Sequence, residues 1–433
     1  MKSLPNEKKL IRLFYLALLS LLLVERDFVF GLSLEELEKF DLSLQYRVMY
    51  NASNIPGSGG STFTDLRNYD FFRQRFRLSL DVQPTKNIGG FAQVEFRGGW
   101  GVGPDISDPR EGIREAVVFN RLKARGIRYG FLYAFLGKDQ KLNAGIIPVS
   151  DKVGDTLFSS DWDFNVGGIS LEGKIRGKKY RLAYLRLVDT LGTELDRNGE
   201  FYIFDFINPI LGAHVYFMRK ERHPDLPDFL GEEINEAWYA LTSSFDLGKT
   251  KLNAFLMINN GKYKDISHTG IAFKGEGEFS FGTANLGLLC LYTTGDKEEI
   301  GKRTFLTPQG ILGTGGYWAY THIFTPQGPS DVNDFGLEIG NKGAGLFTSQ
   351  MKLEIPLISE RLDFKITGGL FYANKERNES KYMGVELGGE FTLFIDQYLT
   401  FDFGTSYVRL GGFYGKEIPR GIYEIFGRFQ LEF

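Results

Sequence analysis

Residues 421–433 alternate with a period of two. Tyr423, Ile425, Gly427, Phe429, Leu431 and Phe433 fall on one side, and Glu424, Phe426, Arg428, Gln430 and Glu432 on the other. An apolar face set against a mostly polar one, closing on a terminal aromatic, is the pattern of the last strand of an outer-membrane β-barrel. Such a strand needs a membrane on one side and a polar interior on the other.

The opposite end of the chain points the same way. Lys2, Lys8, Lys9 and Arg12 precede an apolar stretch from Leu13 to Val24. That stretch is short for a membrane-spanning helix and has the form of a signal-peptide core. Val29 and Gly31 supply small residues for cleavage after position 31, so residues 1–31 are expected to be a signal peptide and 32–433 a single barrel domain. The destination implied is the outer membrane of a diderm bacterium.

Composition supports a barrel. The chain holds 53 Gly, 39 Phe and 21 Tyr, and no second long apolar run; aromatic girdles and tight turns between short alternating strands use residues in that way. A net charge of −3 gives no reason to expect a nucleic-acid partner. Cys290 stands alone, so no disulfide framework is expected in an oxidising compartment. The partners expected are outer-membrane lipid, small hydrophilic solutes, and the barrel assembly machinery, which would read Phe433.

Along the chain, strands come in pairs joined by alternately short and long connections. Tight turns are expected at 84–87, 176–179, 208–209, 247–249, 281–283, 358–360 and 396–397. Longer polar stretches lie at 51–69, 149–165, 189–199, 221–233, 260–268, 295–333, 374–381 and 411–420. Short periplasmic turns and long external loops obey the barrel rule. With both chain ends in the periplasm, the parity closes if 113–148 holds two strands, at 113–122 and 140–148, around a periplasmic excursion at 123–139. The fold expected is therefore an all-β, antiparallel, up-and-down transmembrane barrel of about eighteen strands, with sixteen or twenty as alternatives. The stretch 295–333 reads as one long loop able to fold into the mouth, although Trp318, Tyr320 and His322 could instead mark a strand.

Several short motifs resemble the alginate-export type of outer-membrane porin. They are Arg73-Gln74-Arg75-Phe76-Arg77, Arg114-Glu115-Ala116-Val117-Val118, Asp161-Trp162-Asp163-Phe164-Asn165 and Gly384-Val385-Glu386-Leu387-Gly388, followed by Tyr398-Leu399-Thr400-Phe401 and Gly411-Gly412. The resemblance implies a monomeric eighteen-stranded barrel. It does not extend to alginate, because Gly137-Lys138-Asp139-Gln140 and Asn143-Ala144-Gly145 lack the arginine that those proteins carry after a central glycine.

Alternation also assigns an interior. If Phe72, Phe76, Leu78, Leu80 and Val82 face lipid, Arg73, Arg75 and Arg77 line the pore, with Gln93, Glu95 and Arg97 beside them. Guanidinium forks attract carboxylates and phosphates, although Asp81 and Glu95 are placed to brace them. Glu386, Glu390, Asp402 and Glu424 are expected on the inward face near the seam, along with Glu432, and are diluted there by Arg361, Lys365 and Arg428. That arrangement would set an acidic wall beside a basic one and a transverse field across the pore.

No catalytic, metal or cofactor site is expected. Asp161, Asp163, Asn165 and Glu172 match the ligand spacing of a calcium loop, but Val166 stands where the turn needs Gly. Gly98 to Gly103 is Gly-rich without a helix to follow it. His214, His223, His268 and His322 show no metal-ligand spacing from one another. The function that follows is passive diffusion of small hydrophilic, anionic solutes, with export of an anionic polysaccharide and a barrel enzyme as the alternatives.

Overall fold

The structure is a computed structural model, and it describes residues 37–54, 69–99, 127–162, 164–188, 199–208, 210–222, 232–297, 300–311, 317–326, 328–329, 336–415 and 420–433. The proposed signal segment lies outside them. Eighteen strands are present: β1 (Lys39–Ser53), β2 (Tyr69–Thr85), β3 (Ile88–Gly99), β4 (Ile127–Phe135), β5 (Gln140–Pro148), β6 (Asn165–Ile175), β7 (Lys178–Val188), β8 (Gly199–Ile207), β9 (Gly212–Lys220), β10 (Ile234–Asp246), β11 (Thr250–Tyr263), β12 (Ile266–Phe281), β13 (Ala284–Thr293), β14 (Leu346–Ile358), β15 (Leu362–Arg377), β16 (Ser380–Phe394), β17 (Leu399–Leu410) and β18 (Gly421–Glu432).

Each strand pairs antiparallel with its sequence neighbours, and β1 pairs with β18, so the sheet closes without an edge. At the seam, Leu44 and Phe433 exchange backbone hydrogen bonds of 2.7 and 3.0 Å. The count of eighteen agrees with the parity argument.

The outward faces are apolar. Leu241, Leu256, Ile258, Ile271, Phe273 and Leu288 are exposed side by side across β10 to β13. Aromatic pairs such as Phe364–Phe391 (4.5 Å between ring centres) and Phe401–Phe429 (4.4 Å) sit toward the short-turn end. A continuous apolar band of this kind is a liability in water and matches the hydrocarbon layer of a bilayer.

Three expectations about connections are corrected. The first strand of the 113–148 pair is β4, at 127–135, while 113–122 lies outside the described residues. The excursion expected at 123–139 shrinks to a four-residue turn at 136–139. The long stretches expected at 260–268 and 374–381 are two-residue hairpins at Lys264-Asp265 (φ 49° and 63°) and Asn378-Glu379 (φ 48° and 60°). Two consecutive residues with positive φ match the right-handed twist of the flanking strands. These strands run on past the apolar band, where both faces turn polar, and the sequence therefore reads as loop.

Candidate functional site: the barrel lumen

Register places arginines in a row around the inner wall. Arg47 of β1 lies opposite Arg75 of β2, which lies opposite Arg97 of β3. Like charges directly across a strand pair are destabilising unless something answers them. Arg47 donates through Nε and Nη2 to Gln430 Oε1 at 3.0 and 2.8 Å, and Arg75 Nη2 donates to Gln45 Oε1 at 2.9 Å. Glu95 is shared: it pairs with Arg77 and Arg97 and lies 3.5 Å from Arg128. Gln93 hydrogen-bonds Ser79 at 2.8 Å, and Arg73 sits further along β2, opposite Met49. The expected ladder is thus a two-dimensional patch, braced in part by Glu95.

The seam-side carboxylates are drawn into the wall. Glu390 pairs with Lys365, and Asp402 accepts from Arg428 Nε at 2.7 Å and Thr392 Oγ1 at 2.8 Å. Glu424 accepts from Asn51 Nδ2 at 2.9 Å. Glu386, Glu390, Asp402 and Glu424 are all nearly fully buried. In place of the open acidic face expected beside the arginines, the structure has buried carboxylates there, drawn into contacts with the wall. The carboxylates Glu276, Glu278 and Glu354, on β12 and β14, stand about half the circuit away from β3.

Glu386 has a further task. Its Oε1 accepts the backbone N–H groups of His322 and Ile323 at 2.8 Å each, and its Oε2 accepts that of Phe324 at 2.9 Å. Ser406 Oγ adds a fourth hydrogen bond at 2.7 Å. The described parts of loop 294–345 therefore fold into the barrel and are held there at several other points. Trp238 Nε1 donates to Leu306 O at 2.7 Å, Leu306 N donates to Asn259 Oδ1 at 2.9 Å, and Lys274 Nζ donates to Trp318 O at 3.3 Å. His268 reaches Thr304 O at 2.9 Å through Nδ1 and Glu236 at 2.7 Å through Nε2. Trp318, Tyr320 and His322 lie on this loop and not on a strand. Gly270 makes the close approach possible, because a Cβ there would sit 2.5 Å from the Cα of Phe305.

Loop 149–164 also turns inward. Asp151 is buried and accepts the N–H groups of Val153 (2.8 Å), Leu157 (2.6 Å) and Phe158 (3.0 Å). Burial outweighs those bonds and pushes its carboxyl up to about 6. Arg128 Nη2 and the Tyr129 hydroxyl both donate to Ser160 O, at 2.7 and 3.0 Å. Phe158 packs edge-on against Phe201 and Tyr216. The two loops meet where Gln309 N donates to Leu157 O at 3.3 Å. The calcium-like spacing folds instead into this turn and β6, with Asp163 outside the described residues.

Other functional candidates escaped the sequence reading. Arg47 could have been found by parity, since Tyr46 and Val48 point outward. Arg128 could not, because a bulge at Gln93/Val94 shifts the register there. Asp205 on β8 gathers Arg181 (2.7 Å) from β7 and His214 (2.8 Å) and Tyr216 (2.9 Å) from β9. Beside the arginines runs an aromatic stripe, with Phe91 and Phe131 at 5.3 Å and Lys141 Nζ 4.4 Å above the Tyr133 ring.

No family model matches the chain, and no curated protein matches it. Solved structures do. OccK3 (OpdO) of Pseudomonas aeruginosa aligns over 92% of this chain and 97% of its own, at 13% identity and a TM-score of 0.59. A BenF-like porin from Pseudomonas fluorescens Pf-5 aligns over 92% and 100%, at 13% identity and a TM-score of 0.58. OpdK of Pseudomonas aeruginosa, solved with vanillate, aligns over 92% and 99%, at 10% identity and a TM-score of 0.56. At such identities the likeness is one of fold: the chain shares the architecture of porin-like barrels over nearly its whole described length.

Proposed function

We propose that this protein is an outer-membrane porin through which small hydrophilic solutes, anionic ones above all, diffuse passively. The observation that carries the reading is the arginine row Arg47–Arg75–Arg97. Among the described residues, the hydrogen bonds that anchor the two inward loops run to β4, β9 and β10 to β16, and the row lies on β1 to β3. Guanidinium groups on that arc, with Phe91, Phe131 and Tyr133 beside them, offer charge and apolar surface together, which suits a small carboxylate. One neighbouring fold named as a porin and another solved with vanillate support the same class of solute.

In this reading Arg73, Arg75, Arg77, Gln93, Glu95 and Arg97 line the path, joined by Arg47. Glu386, Glu390, Asp402 and Glu424 shape the wall behind it. Recognition of Phe433 by the barrel assembly machinery belongs to the same proposal. Export of an anionic polysaccharide, suggested by the motif resemblance, is disfavoured by two loops packed inside the lumen. No catalytic role is proposed for His214, His268 or His322, which serve as wall and loop contacts.

The test is reversal potential in a salt gradient across a planar bilayer. Arg47→Ala, Arg75→Ala and Arg97→Ala together are expected to lower anion relative to cation permeability. An unchanged reversal potential would reduce the row to bracing, and a protein without conductance would overturn the porin reading.

A further inference from the structure

Charge at the short-turn end of the barrel is unevenly spread. Within two residues of the turns after β2, β4 and β6 lie seven cations and one carboxylate, Asp139, whereas the other five short turns have three cations and four carboxylates within the same reach. One of the seven, Lys141, stands 4.4 Å above the Tyr133 ring. The remaining six, Lys86, Lys138, Lys174, Arg176, Lys178 and Lys179, are all exposed, and none makes an ion pair among the described residues.

Backbone contacts join the three turns into one surface. Phe135 N donates to Asn87 O at 2.7 Å, which ties the turn after β2 to the turn after β4, and Lys174 N donates to Asp139 O at 3.2 Å, which ties that turn to the next. Strand spacing then spreads the cations over on the order of 20 Å of the rim. Lys174 lies directly opposite Lys179, and like charges so placed repel one another. Glu172, two residues further up β6, lies opposite Lys141 and Arg181 instead. The chain thus sets cations side by side here and leaves them unanswered. Alternation turns Ile175 and Lys178 toward the membrane but Lys174 and Lys179 toward the pore mouth, so a lipid headgroup reaches only part of the patch. A single small solute covers only one turn of it.

We propose that this surface docks an acidic polypeptide segment of a soluble periplasmic protein, with successive carboxylates meeting the cations of the three turns. Charge complementarity selects the occupant: each exposed pair contributes little alone, but a run of carboxylates engages several cations at once and is steered to them from a distance. The docking depends on the short turns facing the periplasm, and not on what the lumen passes.

The test titrates the full chain, in a neutral detergent at low salt, with a fluorescently labelled peptide of about eight glutamates, long enough when extended to cover the patch. Lys174→Gln, Arg176→Gln and Lys179→Gln together are expected to weaken binding about tenfold, and Lys174→Gln alone by a smaller factor. Lys249→Gln, on the turn after β10, is expected to bind as the parent does. Acetate at the same carboxylate concentration, and mixed micelles containing phosphatidylglycerol, should leave the peptide in place. Folding of every variant is read from heat-modifiable gel mobility. No binding by the parent, equal affinity in the triple variant, or an equal loss in Lys249→Gln would overturn the surface. Displacement by acetate would make it a site for single small anions, and displacement by phosphatidylglycerol a lipid contact, and either would equally overturn the proposal. None of these outcomes bears on the porin reading, which conductance tests separately.

Discussion

Glu386 on the barrel wall holds Phe324 on the inward loop: its carboxylate takes the Phe324 N–H at 2.9 Å, together with those of His322 and Ile323. A buried carboxylate gripping three successive amides is a strong local tether, because each bond is charge-assisted and shielded from water.

Removing that tether should loosen the loop without dismantling the barrel. Glu386→Ala leaves three amides without their acceptor and Ser406 with only the longer bond to Leu387 O, a loss of about 3 kcal/mol or more. Single-channel recordings are expected to show a larger mean conductance with added flicker. Unchanged traces would mean that the remaining anchors at Trp238, Asn259 and His268 suffice.

The approach of the loop to Gly270 offers a steric version of the same test. A methyl group there meets backbone at 2.5 Å, so Gly270→Ala must displace Phe305 and its neighbours, at about 1–3 kcal/mol. Lys302 and Arg303 are exposed beside this contact. Trypsin should cut there faster in the variant than in the parent, with the strands left intact.

Glu95 tunes the arginine patch from within. Because it answers Arg77, Arg97 and Arg128 at once, Glu95→Gln leaves more positive charge facing the lumen and is expected to raise anion over cation permeability, seen as a shift in reversal potential. The same change should destabilise the barrel by roughly 3 kcal/mol, visible as a lower melting temperature, since it breaks a largely buried charge cluster. A variant that melts lower with no shift in selectivity would assign Glu95 and its arginines to bracing alone.

Asp151 confers a pH dependence on loop 149–164. Its carboxyl is held up at about 6 by burial, against 3.8 when free. Between those values the folded loop holds the proton more tightly than the unfolded one, so acid favours docking. That stabilisation is complete below about 4 and is lost as pH rises through about 6. Hydrogen exchange at the Val153, Leu157 and Phe158 amides, corrected for intrinsic rate, should therefore be slower at about pH 4.5 than at about pH 7.5. Asp151→Asn should flatten that difference.

How far the chain could be read in advance depended on which side of each strand was polar. Where the inward face is polar, as at β2 with Arg73, Arg75 and Arg77, or at β18 with Glu424 and Arg428, alternation alone is enough to mark the strand. Where the interior is itself apolar, the rule failed. Tyr129, Phe131 and Tyr133 point inward on β4, opposite in sense to the usual pattern, and the strand was expected some residues too early. Phe201, Ile203, Tyr216, Met218 and Trp238 are fully buried because the inward loops cover them, so both faces of β8 to β10 are apolar. The role of Glu386 was equally hidden: a carboxylate on an inward face looks the same in sequence whether it meets solute or a loop backbone.

The seam carries a consequence for assembly. Gln45 bonds to Glu432 across 387 positions of chain, and Asn51 to Glu424 across 373. Contacts this remote are the slowest to find, since nearly the entire polypeptide must already be in hand before they can form. Every hairpin from β2 to β17 can zip locally, but closure waits for the final strand. An unclosed sheet would expose two raw edges, so the last event in its biogenesis is also the one that makes it safe from aggregation.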